Sequence, residues 1–326
     1  MTIKRRYKEF FWLHQKLNEE YKHIIIPPIP EKSIDFMNRF NFEFLEGRCK
    51  LLQKFLHCVI NHKELKTSTS LSTFLSNQDL ETSSANLSSS FSTLGKSVSS
   101  AVPGQYSNIE VDPWYDDMKV YLSKFEKYCN AFQIPITAII KQQKELIDSI
   151  RQFAEALNQF SQFERQNEDV PSKQNGILDL CGKTLEEISK VMSGVTESYA
   201  ELLDGLQLYI LLCSSAKTLL NNRKLLLVDY FESRDESTQV MSKLINATPE
   251  ARIILEKNLS KIEQRTSDAG SEFRSFSRKA KQELNSHFAK KGDLRAHLQA
   301  FATTNLQTEQ KLAKLWQELL GAVNDL

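Results

Sequence analysis

After residue 112, apolar side chains recur every three or four positions, which is the spacing of one face of an α-helix. The second of three such segments keeps this rhythm from Ile177 to Cys213, and the third from Leu255 to Leu284. Steps of four and three that continue for this long predict long helices packed side by side through coiled-coil-like seams. In the first segment the stripe consists of Met118, Leu122, Phe125, Cys129, Phe132, Ile136 and Ile139.

Two polar stretches divide this region into three helices, which we predict at about 113–167, 175–246 and 249–322. The second break, NATPEAR, offers Thr248 as a cap and Pro249 for the first helical turn. Pro135 should bend the first helix. Each predicted helix far exceeds the roughly 11–12 residues of an average globular helix. Three such helices cannot bury their stripes in a compact monomer, so we predict an elongated antiparallel bundle that a second copy completes.

The chain before this region has a different character. Residues 1–80 combine a basic, strand-like start with aromatics, a proline cluster and then helical spacing, which indicates a mixed α+β domain. Residues 81–110 form a linker, in which nine of the twenty residues 81–100 are serine. Apolar residues at 87, 91, 94 and 98 predict an amphipathic helix that senses curved bilayers, and a disordered linker is equally consistent with this composition. Residues 111–326 are then the helical domain.

Charge narrows the classes of partner. The formal net charge is only +1, which argues against nucleic-acid binding through bulk charge. Residues 1–80 carry 13 Lys and Arg against 9 Asp and Glu, so this end of the chain is the better candidate for binding an anion. The longest apolar stretch, residues 202–213, is too short to span a bilayer and is interrupted by Asp204 and Gln207.

No motif predicts catalysis, a metal or a cofactor. The five cysteines are widely spaced without a CxxC pair, and His57, Cys58 and His62 do not make a tetrahedral site. The GKS and GKT tripeptides at 95–97 and 182–184 lack the upstream glycine of a phosphate-binding loop. We therefore expect a protein that is not an enzyme.

Four ordered stretches resemble the PX domain: RRYKEFFWLHQKL (5–17), IIIPPIPEK (24–32), FEFLEGRCKLLQKFLHCVINHKEL (42–65) and LSTFL (71–75). The three long helices resemble a BAR domain, and a PX domain followed by a BAR domain is the architecture of sorting nexins. The stretch EKSIDFMNRFNFEFLEGRCKLLQKFL is most similar to the sorting nexin 4/7/30 branch. The resemblance implies a mainly α protein: an N-terminally truncated α+β PX domain followed by an elongated three-helix antiparallel BAR coiled-coil bundle that dimerises. Because the first PX strands have no counterpart, we expect weakened lipid affinity.

The resemblance also implies a lipid-binding site. Arg6 would contact the 3-phosphate of phosphatidylinositol 3-phosphate, and Tyr7 would pack on the inositol ring. Lys32 would approach the 1-phosphate, and Arg48 would bond the sugar hydroxyls. A guanidinium fork suits a phosphate, and an aromatic face suits a C–H-rich ring. Ile24–Ile26 and the prolines after them would dip into the bilayer, and the alternative is an ordinary solvated basic surface.

The implied function is endosomal. The chain would be a curvature-sensing peripheral protein of early endosomes that binds phosphatidylinositol 3-phosphate and sorts cargo into retrograde and recycling transport, with a possible role in autophagy. It would form a homodimer or a heterodimer with another PX–BAR sorting nexin. Further candidates for contact with anionic lipid are the basic residues Arg223, Lys224, Arg274, Arg278 and Lys281 of the long helices, although their frequent acidic neighbours favour an ordinary solvated face for any one of them. The alternative is a structural coiled-coil scaffold with little intrinsic lipid binding.

Overall fold

The computed structural model describes residues 3–30, 42–77, 80, 106, 109–166, 174–289 and 292–324. These residues fall into two compact units. Unit 1 comprises Met1–Glu126 together with Ile210–Lys290, and unit 2 comprises Lys127–Tyr209 together with Lys291–Leu326. The predicted amphipathic helix of the serine-rich linker lies outside the described residues.

The regular secondary structure described in the first domain is helical. Helix α1 spans Tyr7–Glu20, α2 spans Phe42–Asn61, a 3₁₀ turn covers Leu65–Thr67 and α3 spans Thr69–Ser76. The predicted strand at the basic start was wrong, because residues 3–6 pair with no strand and the helix begins at once after them. The Glu9 carboxylate accepts a hydrogen bond from the Arg6 backbone N–H at 2.5 Å, which favours a helix start over an extended strand.

The core of this domain joins all of these helices to the proline-containing segment. Its buried members come from α1, α2, the 3₁₀ turn and α3, and from two isoleucines just before the prolines. The Ser68 hydroxyl caps α3 by accepting from the Ser70 N–H at 3.1 Å. Leu80 packs against the same core, so the end of the domain is held to it. The buried apolar side chains are Leu13, Leu17, Ile24, Ile26, Phe55, Val59, Leu65, Leu71 and Phe74.

Four helices of the second domain follow. Helix α4 spans Pro113–Gln166 and contains Pro135, α5 spans Gln174–Leu244, and α6 spans Pro249–Leu284. A π-helical turn, Asn285–Ala289, follows α6, and α7 spans Gly292–Asn324. With 71 residues, α5 is about 105 Å long at 1.5 Å per residue. The sequence predicted a single helix over 249–322, whereas the structure describes two helices separated by the π-helical turn.

Unit 1 has a core to which both domains contribute. Ile25 from the first domain packs with Leu122 of α4 and with Cys213, Ala216 and Leu219 of α5. The same cluster includes Ala280 and Leu284 of α6, and Phe288 of the π-helical turn. All of these residues are nearly inaccessible to solvent, so the two domains share one apolar interior in this unit.

A buried ion pair holds the chain where it emerges from the linker into unit 1. The Arg223 guanidinium, 2 % exposed, donates to both carboxylate oxygens of Glu110 at 2.7 and 2.8 Å. It also lies over the Tyr115 ring at 3.4 Å and donates to the Ser277 hydroxyl at 3.0 Å. Burial alone would raise the pKa of Glu110, but the Arg223 guanidinium and two backbone N–H groups hold that pKa below its usual range.

Two more contacts hold the same stretch of chain. The Tyr106 ring stacks on Phe231 of α5 at a centroid distance of 5.6 Å. Lys281 of α6 pairs with Asp112 at 3.1 Å and lies over the ring of Trp114. The chain after the linker is therefore attached to α5 and α6 by aromatic, ionic and cation–π contacts together.

Unit 2 has a small buried core and an exposed apolar stripe. Ala154 of α4 packs with Leu185 and Ile188 of α5, and Leu312 and Leu315 of α7 lie against them. A different face of α4 remains open to solvent, although its apolar residues recur at intervals of seven or fourteen. This heptad stripe consists of Phe132, Leu146, Phe153 and Phe160, which are 51 %, 50 %, 58 % and 46 % exposed.

Candidate phosphoinositide site

Two neighbouring arginines at the start of α1 do different things. The Arg5 side chain points back into the first domain, where its Nε donates to the Phe74 carbonyl at 2.8 Å and its guanidinium also binds the Asn77 carbonyl. It thereby satisfies carbonyl groups at the C-terminal end of α3, where a positive charge is favourable. Arg6 is the residue that precedes α1, and its side chain is exposed. Arg5 therefore supports the fold, and Arg6 is available to meet an anion.

Tyr7 and Arg48, which lie 41 positions apart, are brought together. The Arg48 guanidinium carbon lies 4.4 Å from the centre of the Tyr7 ring, within the range of a cation–π contact. The Tyr7 hydroxyl donates to the Pro30 carbonyl at 2.6 Å, which fixes the ring against the end of the proline-containing segment. Both side chains are half-buried. The structure thus unites Tyr7 with Arg48 and places Arg6 next to Tyr7 in the chain.

The fourth predicted site residue, Lys32, lies outside the described residues. Ile24, Ile25 and Ile26, which the sequence placed in the bilayer, are 5 %, 1 % and 1 % exposed, so that prediction was wrong. Their side chains are already buried within unit 1 and have no apolar surface left for a lipid.

This arrangement can bind a phosphorylated sugar. Arg6 offers a charged fork at the positive end of a 14-residue helix. The guanidinium of Arg48 lies over the Tyr7 ring, and a guanidinium is a donor that suits hydroxyl and phosphate oxygens. In the described residues, no group of acidic, His or Cys side chains could hold a metal ion.

Most of the basic candidates on the long helices have other roles. Arg223 is buried in its pair with Glu110, and Lys224 donates to the Ile109 carbonyl. Lys281 pairs with Asp112. The burial of Arg223 excludes it as a lipid contact, whereas Lys224 and Lys281 hold the chain before α4 and remain partly exposed. Arg274 and Arg278 on α6 are exposed.

Models of known protein families match both domains of this chain. The PX domain model matches residues 1–78, and the model described as Vps5 C terminal like matches residues 83–322. The second match covers well over half of the chain. The chain belongs to the PX–BAR sorting nexins.

Similar proteins span nearly the whole chain. Sorting nexin-30 of Xenopus tropicalis is 26 % identical over 327 residues, covering 99 % of this chain and 68 % of that protein. Sorting nexin-7 of Mus musculus is 26 % identical over 334 residues, covering 99 % and 80 %. The cryo-EM structure of the SNX-BAR Mvp1 tetramer matches 98 % of this chain and 90 % of that chain with a TM-score of 0.73 at 18 % identity. The predicted class, mainly α with a PX domain before a BAR domain, is confirmed.

Membership in this family fixes the broad role. PX–BAR sorting nexins are membrane-associated trafficking adaptors and not enzymes, which confirms the expectation that this chain has no catalytic activity. Within the part of the chain that the structure describes, every helix is too short or too polar to cross a membrane.

Sequence reasoning missed the residues that join the two domains. The run of three isoleucines before a proline carried the signal, because a continuous apolar run in an extended chain buries both of its faces. Glu110 and Glu283 gave no such signal, since a single glutamate in a charged sequence has no distinguishing pattern.

Proposed function

We propose that this chain binds phosphatidylinositol 3-phosphate on early endosomes, senses the curvature of the membrane, and sorts cargo for retrograde and recycling transport. Participation in autophagy belongs to the same proposal. Residues 1–80 would bind the headgroup, 81–110 would link the domains and sense packing defects, and 111–326 would shape the dimer. Specificity would come from the headgroup, and avidity from two copies per dimer.

One observation carries the headgroup proposal: the Arg48 guanidinium carbon lies 4.4 Å from the centre of the Tyr7 ring, and the Tyr7 hydroxyl donates to the Pro30 carbonyl. A guanidinium and an aromatic face held at this separation form one wall for an inositol ring, with Arg6 at its edge. Lys32 completes the proposed set of phosphate-binding residues by its resemblance to the family pattern.

The heptad stripe supports the proposal of a dimer. Large apolar residues on one face of α4 recur in a coiled-coil register and remain about half exposed in a single chain. A second copy of the BAR domain, or a related nexin with the same register, would cover them. The dimer would then present two headgroup sites to one membrane.

Flotation on liposomes with and without phosphatidylinositol 3-phosphate tests the headgroup proposal. Arg6→Ala and Arg48→Ala should each lower binding about tenfold or more, since each removes charge-assisted hydrogen bonds. Lys66→Ala removes an exposed charge elsewhere in the same domain and should leave binding nearly unchanged. Arg5→Ala should lower the thermal stability, whereas Arg6→Ala should not.

Binding that ignores the 3-phosphorylated lipid would contradict the proposal. A folded wild-type chain that fails to float on any of these liposomes would favour the structural scaffold instead. Liposomes of several diameters in the same experiment measure the preference for curvature.

A further inference from the structure

The segment that forms one side of the headgroup site is also embedded in the BAR helices. Residues 24–26 belong to no helix or strand, and their side chains alternate between two apolar clusters. Ile24 and Ile26 pack in the core of the PX domain, whereas Ile25 packs among α4, α5 and α6. One short stretch of backbone therefore lies between the two domains and is held by both.

Glu283 of α6 holds this stretch by its backbone. The Glu283 Oε1 atom accepts from the Ile25 N–H at 3.2 Å and lies 3.6 Å from His62 Nε2 and 3.7 Å from His287 Nδ1. The side chain is 14 % exposed. Burial alone would raise the pKa of Glu283, but hydrogen bonding from His62, the charges of the two histidines and the Ile25 N–H hold it below its usual range. The carboxylate is therefore ionised at neutral pH and a strong acceptor.

A second bond supports the first. The Asn222 side-chain amide on α5 donates to the Lys22 carbonyl at 3.3 Å. Between Ile25 and the Pro30 carbonyl that fixes Tyr7, three of the five residues are prolines, at positions 27, 28 and 30. Proline fixes φ near −65°, so this connection is stiff. A displacement at Ile25 is then passed to Pro30 and is not absorbed between them.

We propose that Glu283, a residue of the BAR domain, is a positioning residue for headgroup binding: it fixes the Lys22–Pro30 segment and thereby the Tyr7–Arg48 pair. The inference rests on the proposed function of that pair. It makes the affinity of the PX domain for a free headgroup depend on a helix that the headgroup does not touch.

The test measures binding of soluble inositol 1,3-bisphosphate to the full chain by calorimetry, which removes membrane avidity from the result. Glu283→Ala loses the acceptor and should weaken binding about tenfold, in line with the loss of one hydrogen bond to a charged group. Glu283→Gln keeps an oxygen that can accept from the Ile25 N–H and should recover most of the affinity. Glu272→Ala alters an exposed glutamate of the same helix and should bind like the wild type.

The outcomes separate this inference from the function on which it rests. A folded wild-type chain that does not bind the headgroup refutes the proposed site itself. If the wild type binds and Glu283→Ala binds equally well, the positioning role is overturned. Should Glu283→Ala fail to fold, Asn222→Ala replaces it: a twofold to threefold weaker affinity supports the inference, and unchanged affinity refutes it.

Discussion

The two parts of helix α4 follow the same sequence rule and meet different surroundings. In unit 1 its apolar face is covered, and Leu122 is fully buried among α5, α6 and Ile25 of the PX domain. In unit 2 the buried face around Ala154 is accompanied by a second, exposed face, the heptad stripe. A repeat of apolar residues therefore predicts a helix with an apolar face. It does not show whether that face packs against the same chain or against a second one.

The two parts of α4 differ in whether a single chain covers their apolar surface. In unit 1 the apolar surface of the long helices is covered by the same chain, because Ile25 of the PX domain packs against it. In unit 2, the heptad stripe is left about half exposed by the residues that the structure describes. We therefore expect changes in unit 1 to act on stability and changes along the stripe to act on association.

The largest expected effect is on association. Phe153→Glu places a carboxylate in the centre of the stripe of each copy, and burying two such charges costs several kcal/mol. We expect the dimer to weaken by more than about ten-thousandfold, or about 5.5 kcal/mol, as measured by sedimentation equilibrium. Gln162→Glu adds the same charge half a turn away around the helix and should leave association unchanged. A Phe153→Glu chain that still sediments as a dimer would show that the seam lies elsewhere.

A smaller but still large effect is expected in unit 1. Arg223→Met removes the cation that Glu110 faces and leaves a buried carboxylate without its partner, which should cost about 3–5 kcal/mol of unfolding free energy. Urea denaturation measures this loss. The double variant Arg223→Met with Glu110→Gln should regain much of it, and Arg278→Met, at an exposed arginine of α6, should cost little. Equal stability of the single and double variants would contradict the buried pair.

The smallest of the three effects depends on pH. Burial lowers the pKa of His14 from 6.5 to about 4. Between these two pH values His14 is therefore protonated in the unfolded chain and neutral in the folded chain. The associated stability is fully present above pH 6.5 and is lost as the pH falls towards 4, a total of about 3 kcal/mol. Hydrogen exchange should therefore show protection of α1 and α2 falling between pH 7 and 5, with His14→Gln reducing the change. Protection that is flat in this range would refute it.

Periodicity was the reliable guide in the second domain. The ends of α4, α5 and α6 lie close to residues with strong local preferences, such as Pro113 and Pro249, whose fixed φ suits a first helical turn. The break between Leu284 and Gly292 was missed, because Asn285–Ala289 contains neither glycine nor proline and a single glycine is tolerated inside a helical pattern. In the first domain, the three isoleucines before the prolines were predicted to enter a bilayer. Sequence alone does not show whether an apolar run is buried by lipid or by another part of the protein.

Charged residues were harder to assign, and the reason is tertiary. Arg5 and Arg6 are adjacent and chemically identical, yet one binds the carbonyls that end α3 and the other is exposed. Arg223 looked like a surface cation and is buried over Tyr115. What separates such residues is the presence of a carbonyl, a carboxylate or a ring brought in from a distant part of the chain. Tyr7 and Arg48 were found through family resemblance, and no spacing rule would have paired them.

The points at which the PX core ends and the helical domain begins limit where the serine-rich linker can go. Leu80 is held on the PX core and Tyr106 on α5, both within unit 1. The 25 residues between them are therefore tied at both ends. At roughly 3.5 Å per residue, the middle of this tether reaches no more than about 45 Å from its anchors. Whatever the linker binds, lipid or protein, must lie within that radius of Leu80 or Tyr106.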